Sequence, residues 1–286
     1  MKLKISFCTL FALLLSISGL AWATESEKWS EKNQAVINEK RQKIENEIGR
    51  LKNHPWAGEY YSGDGLGTNV RLTLAPENGF TIKWTGCEGL YDQNHGTVKW
   101  DDNLVELSFA FDPTDEGIGH YASEYKPIRW GNRVYLIPSN EIIKFVNEIN
   151  ASSEPRDGVH GFFFLRLGDE EKEVTSKPEL PGEFMEYLLD RPIDAAIVSV
   201  SKPVKSTKNK DLTTVVVIVN KGKKDGLLPG MELYVTKPGD SYDSVELTKV
   251  GETQSEGRYQ YDNNHPAVGW QLSTCPRWGG IRQCRQ

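Results

Sequence analysis

The sequence predicts a mainly β protein: an antiparallel β-barrel or sandwich domain with an N-terminal helix, followed by a small C-terminal β-barrel. From Trp56 onward, short runs alternate apolar and polar residues. In VRLTL, for example, Val70, Leu72 and Leu74 fall on one face and Arg71 and Thr73 on the other. Turn formers such as Glu77-Asn78-Gly79 and Asp101-Asp102-Asn103 separate these runs, which suits an antiparallel meander. The chain, about 263 residues once its leader is removed, is long for one core and fits two modest domains.

Residues 1–23 start MKLK, run through ISFCTLFALLLSISGL and end on Ala21-Trp22-Ala23. A basic start, a short apolar core and an A-x-A ending make a secretory signal peptide. A retained membrane anchor is the rival reading, opposed by the short core, since a spanning helix needs about 20 apolar residues. Cys8 precedes the apolar core instead of following it, so lipidation is disfavoured. The mature chain is expected to start near Thr24 and to work in the periplasm or outside the cell.

Residues 24–54 are polar, with Ile37, Ile44, Ile48 and Leu51 spaced seven, four and three apart, which is one helical stripe. The helix should stop by His54-Pro55. Such a stripe either lies across its own domain or pairs two chains in a coiled coil. Residues 55–168 carry the β-domain, with runs such as WAGEYYS, FTIKWTG, NLVELSFAF and PIRWGNRVYLIP. One helix near 139–150 interrupts them, with Ser139 as N-cap and Ile142, Val146 and Ile149 facing inward. The segment Gly161–Gly168 reads as one more buried strand.

A charged linker and a short helix at Pro181–Asp190 fill residues 169–191. Residues 192–251 form the small barrel through strands Ile193–Ser201, Leu212–Asn220, Met231–Thr236 and Ser244–Val250, and residues 252–286 read as an irregular tail.

Signal removal takes away Lys2 and Lys4, moving the formal net charge from -6 to about −8. That balance opposes nucleic-acid and anionic-lipid binding. The basic run Lys202–Lys210 lacks interleaved aromatics and reads as a solvated loop. Of the remaining cysteines, Cys275 and Cys284 bracket CPRWGGIRQC, whose glycines can reverse the chain and bring the sulfurs together. Cys87 is then the solitary thiol. A zinc site is the weaker alternative, because no Cys-x-x-Cys or paired histidines accompany these residues. No metal or cofactor is expected.

The stretch YYSGDGLGTNVRLTL places Gly63, Gly65 and Gly67 around Asp64. A dinucleotide fingerprint needs Gly-x-Gly-x-x-Gly opening a helix, and here the spacing differs and a strand follows. A calcium loop needs more carboxylates than Asp64 offers. The glycines are read as a loop joining two strands.

The block Trp56-x-Gly-x-Tyr-Tyr-x-Gly-Asp-Gly-Leu-Gly-x-Asn, with Leu72-x-Leu-Ala-Pro and Gly86-Cys-x-Gly-x-Tyr-Asp-x-Asn-x-Gly-x-Val, resembles a family of secreted bacterial proteins of unassigned function. Arg129-Trp-Gly-x-Arg-x-Tyr-Leu-Ile-Pro and Glu154-Pro-Arg look like the same family, which supplies no catalytic residues to carry over. The opening Trp-x-Gly-x-Tyr is also loosely similar to the first strand of lipocalin-like barrels. Asn220-Lys-Gly-x-x-x-Gly226-x-x-x-Gly230-Met-x-Leu-x-Val looks like the small β-barrel modules of periplasmic scaffold proteins, and implies protein–protein contact.

TGCEGLYDQNHG holds Cys87, Glu88, Asp92 and His95. A nucleophilic cysteine needs a base within hydrogen-bond reach, and His95 could face Cys87 across a hairpin with Asp92 or Glu88 orienting it. The bland alternative is a small filler between glycines. Asp112, Asp115 and Glu116 beside His120 form an acidic loop, read as a solvated turn or a cation site. Arg129, Arg133 and Arg156 could clamp an anionic ligand or form a salt-bridged edge with Glu154. Trp84 shares a face with Ile82 and Phe80 and reads as core.

The sequence therefore favours a secreted or periplasmic, non-enzymatic binding or scaffold protein that meets an envelope partner. A cysteine-dependent hydrolase or transferase centred on Cys87 and His95, and a lipocalin-like small-ligand carrier, are the alternatives.

Overall fold

The computed structural model describes residues 27–101, 103–112, 121–152, 155, 163–174, 177–205, 212–238, 243–261, 264–278, 281–282 and 284. The expected signal peptide, the acidic loop residues Asp115, Glu116 and His120, Glu154 with Arg156, and Lys208–Lys210 lie outside the described residues. The chain divides into two compact units: one runs to Ser139 and resumes over Phe164–Pro178, and the other holds Asn140–Phe163 and Glu179–Gln286.

In the first unit, α1 spans Glu31–Arg50. Ser30 starts it by accepting the Asn33 amide at 3.1 Å, which satisfies one of the donors left open at a helix N-terminus. The strands are β1 (Gly58–Gly63), β2 (Thr68–Ala75), β3 (Gly79–Gly86), β4 (Gly89–Asp101), β5 (Leu104–Phe109), β6 (Glu124–Trp130), β7 (Arg133–Pro138) and β8 (Phe164–Arg166). They pair in chain order and β8 closes on β1, giving an eight-stranded antiparallel barrel.

Register follows the alternation of the sequence. Tyr60 pairs with Leu72, Leu72 with Ile82 and Ile82 with Asn94, so one set of side chains points inward around the ring. Tyr60, Leu72, Leu74, Phe80, Tyr125 and Phe164 have no surface that water reaches. That part of the interior is filled by side chains, as in other small barrels.

The stripe Asn33, Ile37, Ile44 and Glu47 of α1 is buried, and the helix packs on β2 and β3. Glu47 fastens the far end. One carboxylate oxygen accepts the Glu77 amide at 2.9 Å, and the other accepts the Asn78 amide at 2.9 Å and its side-chain amide at 2.8 Å. A buried carboxylate is tolerated here because three donors replace its water.

The second unit holds α2 (Ile142–Asn150) and strands β9 (Asp194–Val200), β10 (Val204–Lys205), β11 (Thr213–Val219), β12 (Glu232–Lys237), β13 (Ser244–Val250), β14 (Ser255–Tyr261) and β15 (Gln271–Ser273). The ring runs β11, β14, β13, β12, β15, β9 and closes where β9 pairs with β11, making a six-stranded barrel with β10 added along β11. Its core includes Ile197, Val217, Leu233, Val235, Leu247 and Tyr259. A two-stranded ladder, β16 (Arg277–Trp278) with β17 (Ile281–Arg282), follows, and the bridge between Cys275 and Cys284 is present.

Several expectations change. The helix expected inside the first domain belongs to the second unit, where the Asn147 side-chain amide donates to the Gly230 carbonyl at 2.9 Å. Ser139 does not cap it. Glu141 stands at the N-cap without a side-chain bond, and the Ser139 hydroxyl donates to Glu124 at 3.1 Å instead. The segment at Pro181–Asp190 is a 3-10 turn over Gly182–Tyr187, too short to nucleate an α-helix.

The stretch 252–286 is not an irregular tail, because β14 and β15 are staves of the second barrel. Two of the inward residues of β14 are small, Ser255 and Gly257, so hydropathy hides the strand. Gly257 is required there. A Cβ would lie 2.3 Å from the Val245 side chain.

Candidate functional site

An up-and-down ring puts alternate connections at the same end. One rim of the first barrel therefore gathers the β1–β2 glycine loop, the β3–β4 turn with Cys87 and Glu88, and the chain between β5 and β6. Of the residues singled out from the sequence, Asp64, Cys87 and Glu88 fall at this rim and Asp92 near it.

The glycine loop is a self-contained turn. The Asp64 carboxylate accepts the amides of Leu66 at 2.8 Å, Gly67 at 2.8 Å and Thr68 at 3.1 Å. The Leu66, Thr68 and Gly67 amides hold its carboxyl below the usual carboxylate range. Gly63 has φ 150, and a Cβ there would sit 2.1 Å from the Thr68 carbonyl oxygen, so only glycine closes the turn. The amides that could have cradled a phosphate are used by the loop's own aspartate.

Cys87 and His95 are not brought together. Cys87 is an exposed free thiol in the β3–β4 turn, its sulfur 3.6 Å from the Leu66 carbonyl oxygen. His95 pairs with Thr81, five register positions from the Gly86–Gly89 pair that flanks the turn. At about 3.3 Å per residue, roughly 16 Å of strand separates them. Residues eight apart meet across a hairpin only when the turn lies midway between them, and here it follows Cys87 at once.

His95 faces outward onto α1, where its Nε2 meets the Asn33 side-chain oxygen at 3.1 Å and its ring stands edge-on to Phe111. Asn33 uses its own amide on the Lys28 carbonyl, so its oxygen is the acceptor and Nε2 carries the proton. Burial, and then the Lys40 charge, hold the imidazole below its usual value. Glu88 is exposed in the turn and, among the described residues, orients no imidazole.

Asp92 has a different setting. It pairs with inward-facing Trp84 and forms an ion pair with Lys28 at 2.5 Å, both side chains being about 15% exposed. Trp84 lies edge-on to Tyr91 and Tyr121, with ring centroids 6.3 and 6.4 Å away. Tyr121 is 5% exposed; burial, and then the charge of Asp92, raise its phenol well above the usual value. Lys28 and Tyr121 carry no sequence signal of this role, since each reaches Asp92 from a distant segment.

Of the arginines expected to clamp a ligand, Arg133 is already engaged within the chain. Arg133 spends its guanidinium on the Lys172 carbonyl at 2.7 Å and the Glu170 carbonyl at 2.8 Å. Asp169 beside it accepts the Val134 amide at 2.9 Å. Arg129 is exposed on β6, and Arg156 lies outside the described residues. Arg133 is therefore an internal tie that secures the chain after β8. Among the described residues, no group of three or more His, Cys, Asp or Glu could hold a metal.

The second barrel carries apolar side chains on its outer wall. On β11, Thr214, Val216 and Ile218 point outward, while Val215, Val217 and Val219 point into the core. Val204 of β10 pairs with Thr214. Ser199 of β9 pairs with Ile218, and a register break there turns Val198 outward as well. Val204 is 67% exposed, Val198 40% and Val216 39%. TTVVVIV had signalled this by being apolar on both faces, unlike VRLTL.

The strip is bordered along β14 by Glu256 and Arg258, which face Ile218 and Val216. Both are engaged with β13, Arg258 with Glu246 at 2.6 Å and Glu256 with Lys249 at 3.1 Å. No helix among the described residues is long and apolar enough to cross a membrane. No family model matches the chain, and comparison with curated proteins and with solved structures gives no match either.

Proposed function

We propose that the protein is a non-catalytic binding or scaffold protein of the secretory route, acting through protein contacts made by the outer wall of the second barrel. The observation that carries this reading is the strip of Val198, Ile218, Val216 and Val204. Single exposed apolar residues are ordinary, whereas contiguous ones rimmed by charge mark contact surfaces. Val216 and Ile218 are two apart on one face of β11, Val204 is diagonal to Val216 through its partner Thr214, and Val198 adjoins Ser199, the partner of Ile218, on strands about 4.8 Å apart. β-branched side chains on a rigid sheet also lose little rotamer freedom when covered.

The first barrel supports the same reading in a different way. The part of its interior lined by Tyr60, Leu72, Leu74, Phe80, Tyr125 and Phe164 is filled, where a carrier would need a cavity of roughly 300 Å³ or more. Its thiol and imidazole stand on different surfaces, and three amides occupy its loop aspartate.

The test is photo-crosslinking from position 216 in living cells. A discrete heterologous adduct is expected, with none formed from a probe on exposed Arg129. Adducts distributed equally from both positions, or none from 216, would overturn the reading.

A further inference from the structure

The rim of the first barrel holds a feature that the protein-contact reading does not use. Asp92 sits on the barrel wall, paired with inward Trp84, and Tyr91 and Tyr121 present their rings around that indole. Its cation does not come from the barrel. Lys28 belongs to the short segment that precedes α1, and its ammonium lies 2.5 Å from the Asp92 carboxylate. The helix has separate anchors farther along, in Ile37, Ile44 and the Glu47 clamp. Rotation of the Lys28 stem alone would empty the position beside Asp92 while these anchors remain in place.

We propose that Asp92, with Trp84, Tyr91 and Tyr121, is a binding site for a primary alkylammonium group, and that Lys28 occupies it as an internal surrogate. Lys28 displays the chemistry the site accepts: an N–H donor on a flexible apolar stem. A contact of 2.5 Å demands an N–H donor, so the site takes a primary amine and not a quaternary one, whose methyl groups would hold the nitrogen off the carboxylate. The Lys28 ammonium also lies over the Trp29 ring, 5.8 Å from its centroid, and an aromatic face beside a largely buried carboxylate favours a cation carrying apolar carbon over a bare metal ion. The tethered lysine competes at high effective concentration, so the site is self-inhibited, and a free amine binds only as Lys28 yields.

The proposal is independent of the valine strip and is tested with different residues. Cadaverine is titrated calorimetrically into the mature full chain and into its Lys28→Ala, Asp92→Asn and Lys28→Ala/Asp92→Asn variants. The expected result is saturable one-to-one binding to Lys28→Ala, at least about tenfold weaker binding to the parent, and none to either Asp92→Asn chain. If Lys28→Ala lowers the melting temperature, Lys28→Met keeps the stem packing and takes its place. Tetramethylammonium is expected not to bind. An acetylated, amidated lysine tripeptide separates a free amine from a lysine side chain on a peptide as the source. No saturable binding of cadaverine or the tripeptide to a folded Lys28 variant overturns the proposal. So does equal binding after Asp92→Asn, or tetramethylammonium binding as tightly as cadaverine.

Discussion

The two barrels solve the same problem with different surfaces. In the first, the outer wall along β2 and β3 is covered by α1. Polar ties hold the helix at intervals: Lys28 to Asp92, Asn33 to His95, and Glu47 to the turn at Glu77 and Asn78. In the second, the core cluster is built of aliphatic and aromatic side chains, the Tyr259 hydroxyl reaches Asp243 at 3.0 Å, and Ser255 and Ser273 are buried as well. Its outer wall at β9, β10 and β11 keeps valines in water. One barrel spends its surface on its own helix, and the other leaves a surface unspent. The unspent one is where a partner can gain apolar burial, at roughly 25 cal/mol per Å² removed from water.

The largest expected effects test whether both interiors are packed cores. Leu72→Ala in the first barrel and Leu233→Ala in the second should each cost about 3 kcal/mol, read from chemical denaturation. Both side chains are fully buried. A near-neutral Leu72→Ala would mean that the first interior tolerates a void, and would restore the carrier reading.

Next comes the helix clamp. Glu47→Ala should cost about 2–3 kcal/mol, because it strips two turn amides and the Asn78 side chain of a charged acceptor at once. Removing the bridge with Cys275→Ser and Cys284→Ser should cost a similar amount, about 2–3 kcal/mol for a loop of this length. The two losses should add, since the sites share no partner.

A pH titration separates the barrels further. His95 and His54, both in the first unit, are held below the usual imidazole value. Burial is the main cause for each, followed by Lys40 for His95 and Arg166 for His54. The unfolded chain takes protons at about 6.5, whereas the folded barrel resists them to lower pH. Stability is therefore full above that value and falls as pH drops from about 6.5 towards the lower folded values. Thermal melts from pH 7.5 to 5 should show this loss, and His95→Gln should flatten it. An unchanged slope in that variant would remove His95 from the account.

The smallest effect concerns the glycine loop. The Asp64 carboxyl is held low by backbone amides, so its contribution is present above the ordinary carboxylate value and fades as pH falls through the folded one. Asp64→Ala should loosen amide exchange at Leu66, Gly67 and Thr68 above pH 5 and leave the rest of the barrel unchanged.

Much of the fold was legible because alternation is a local signal. The runs in the first barrel and the TTVVVIV strand read directly as strands, and CPRWGGIRQC as a bridge. What failed was long-range. The amphipathic helix at 142–150 is evident from its spacing, but nothing in that spacing says which core receives it. β14 escaped because register, not hydrophobicity, assigns Ser255 and Gly257 inward.

The chemistry misled for a related reason. Cys87 and His95 are near in sequence, but an extended strand separates them faster than a turn returns them. Arg133 looked free only because its acceptors are backbone carbonyls 37 and 39 residues away, which carry no sequence identity.

The most direct test of the central claim is quantitative capture from native extract by the parent chain and by Val204→Asp/Val216→Asp, compared at equal loading and equal melting temperature. The account predicts a partner retained at fixed stoichiometry by the parent and reduced at least tenfold by the double variant. Equal recovery by both chains would contradict it.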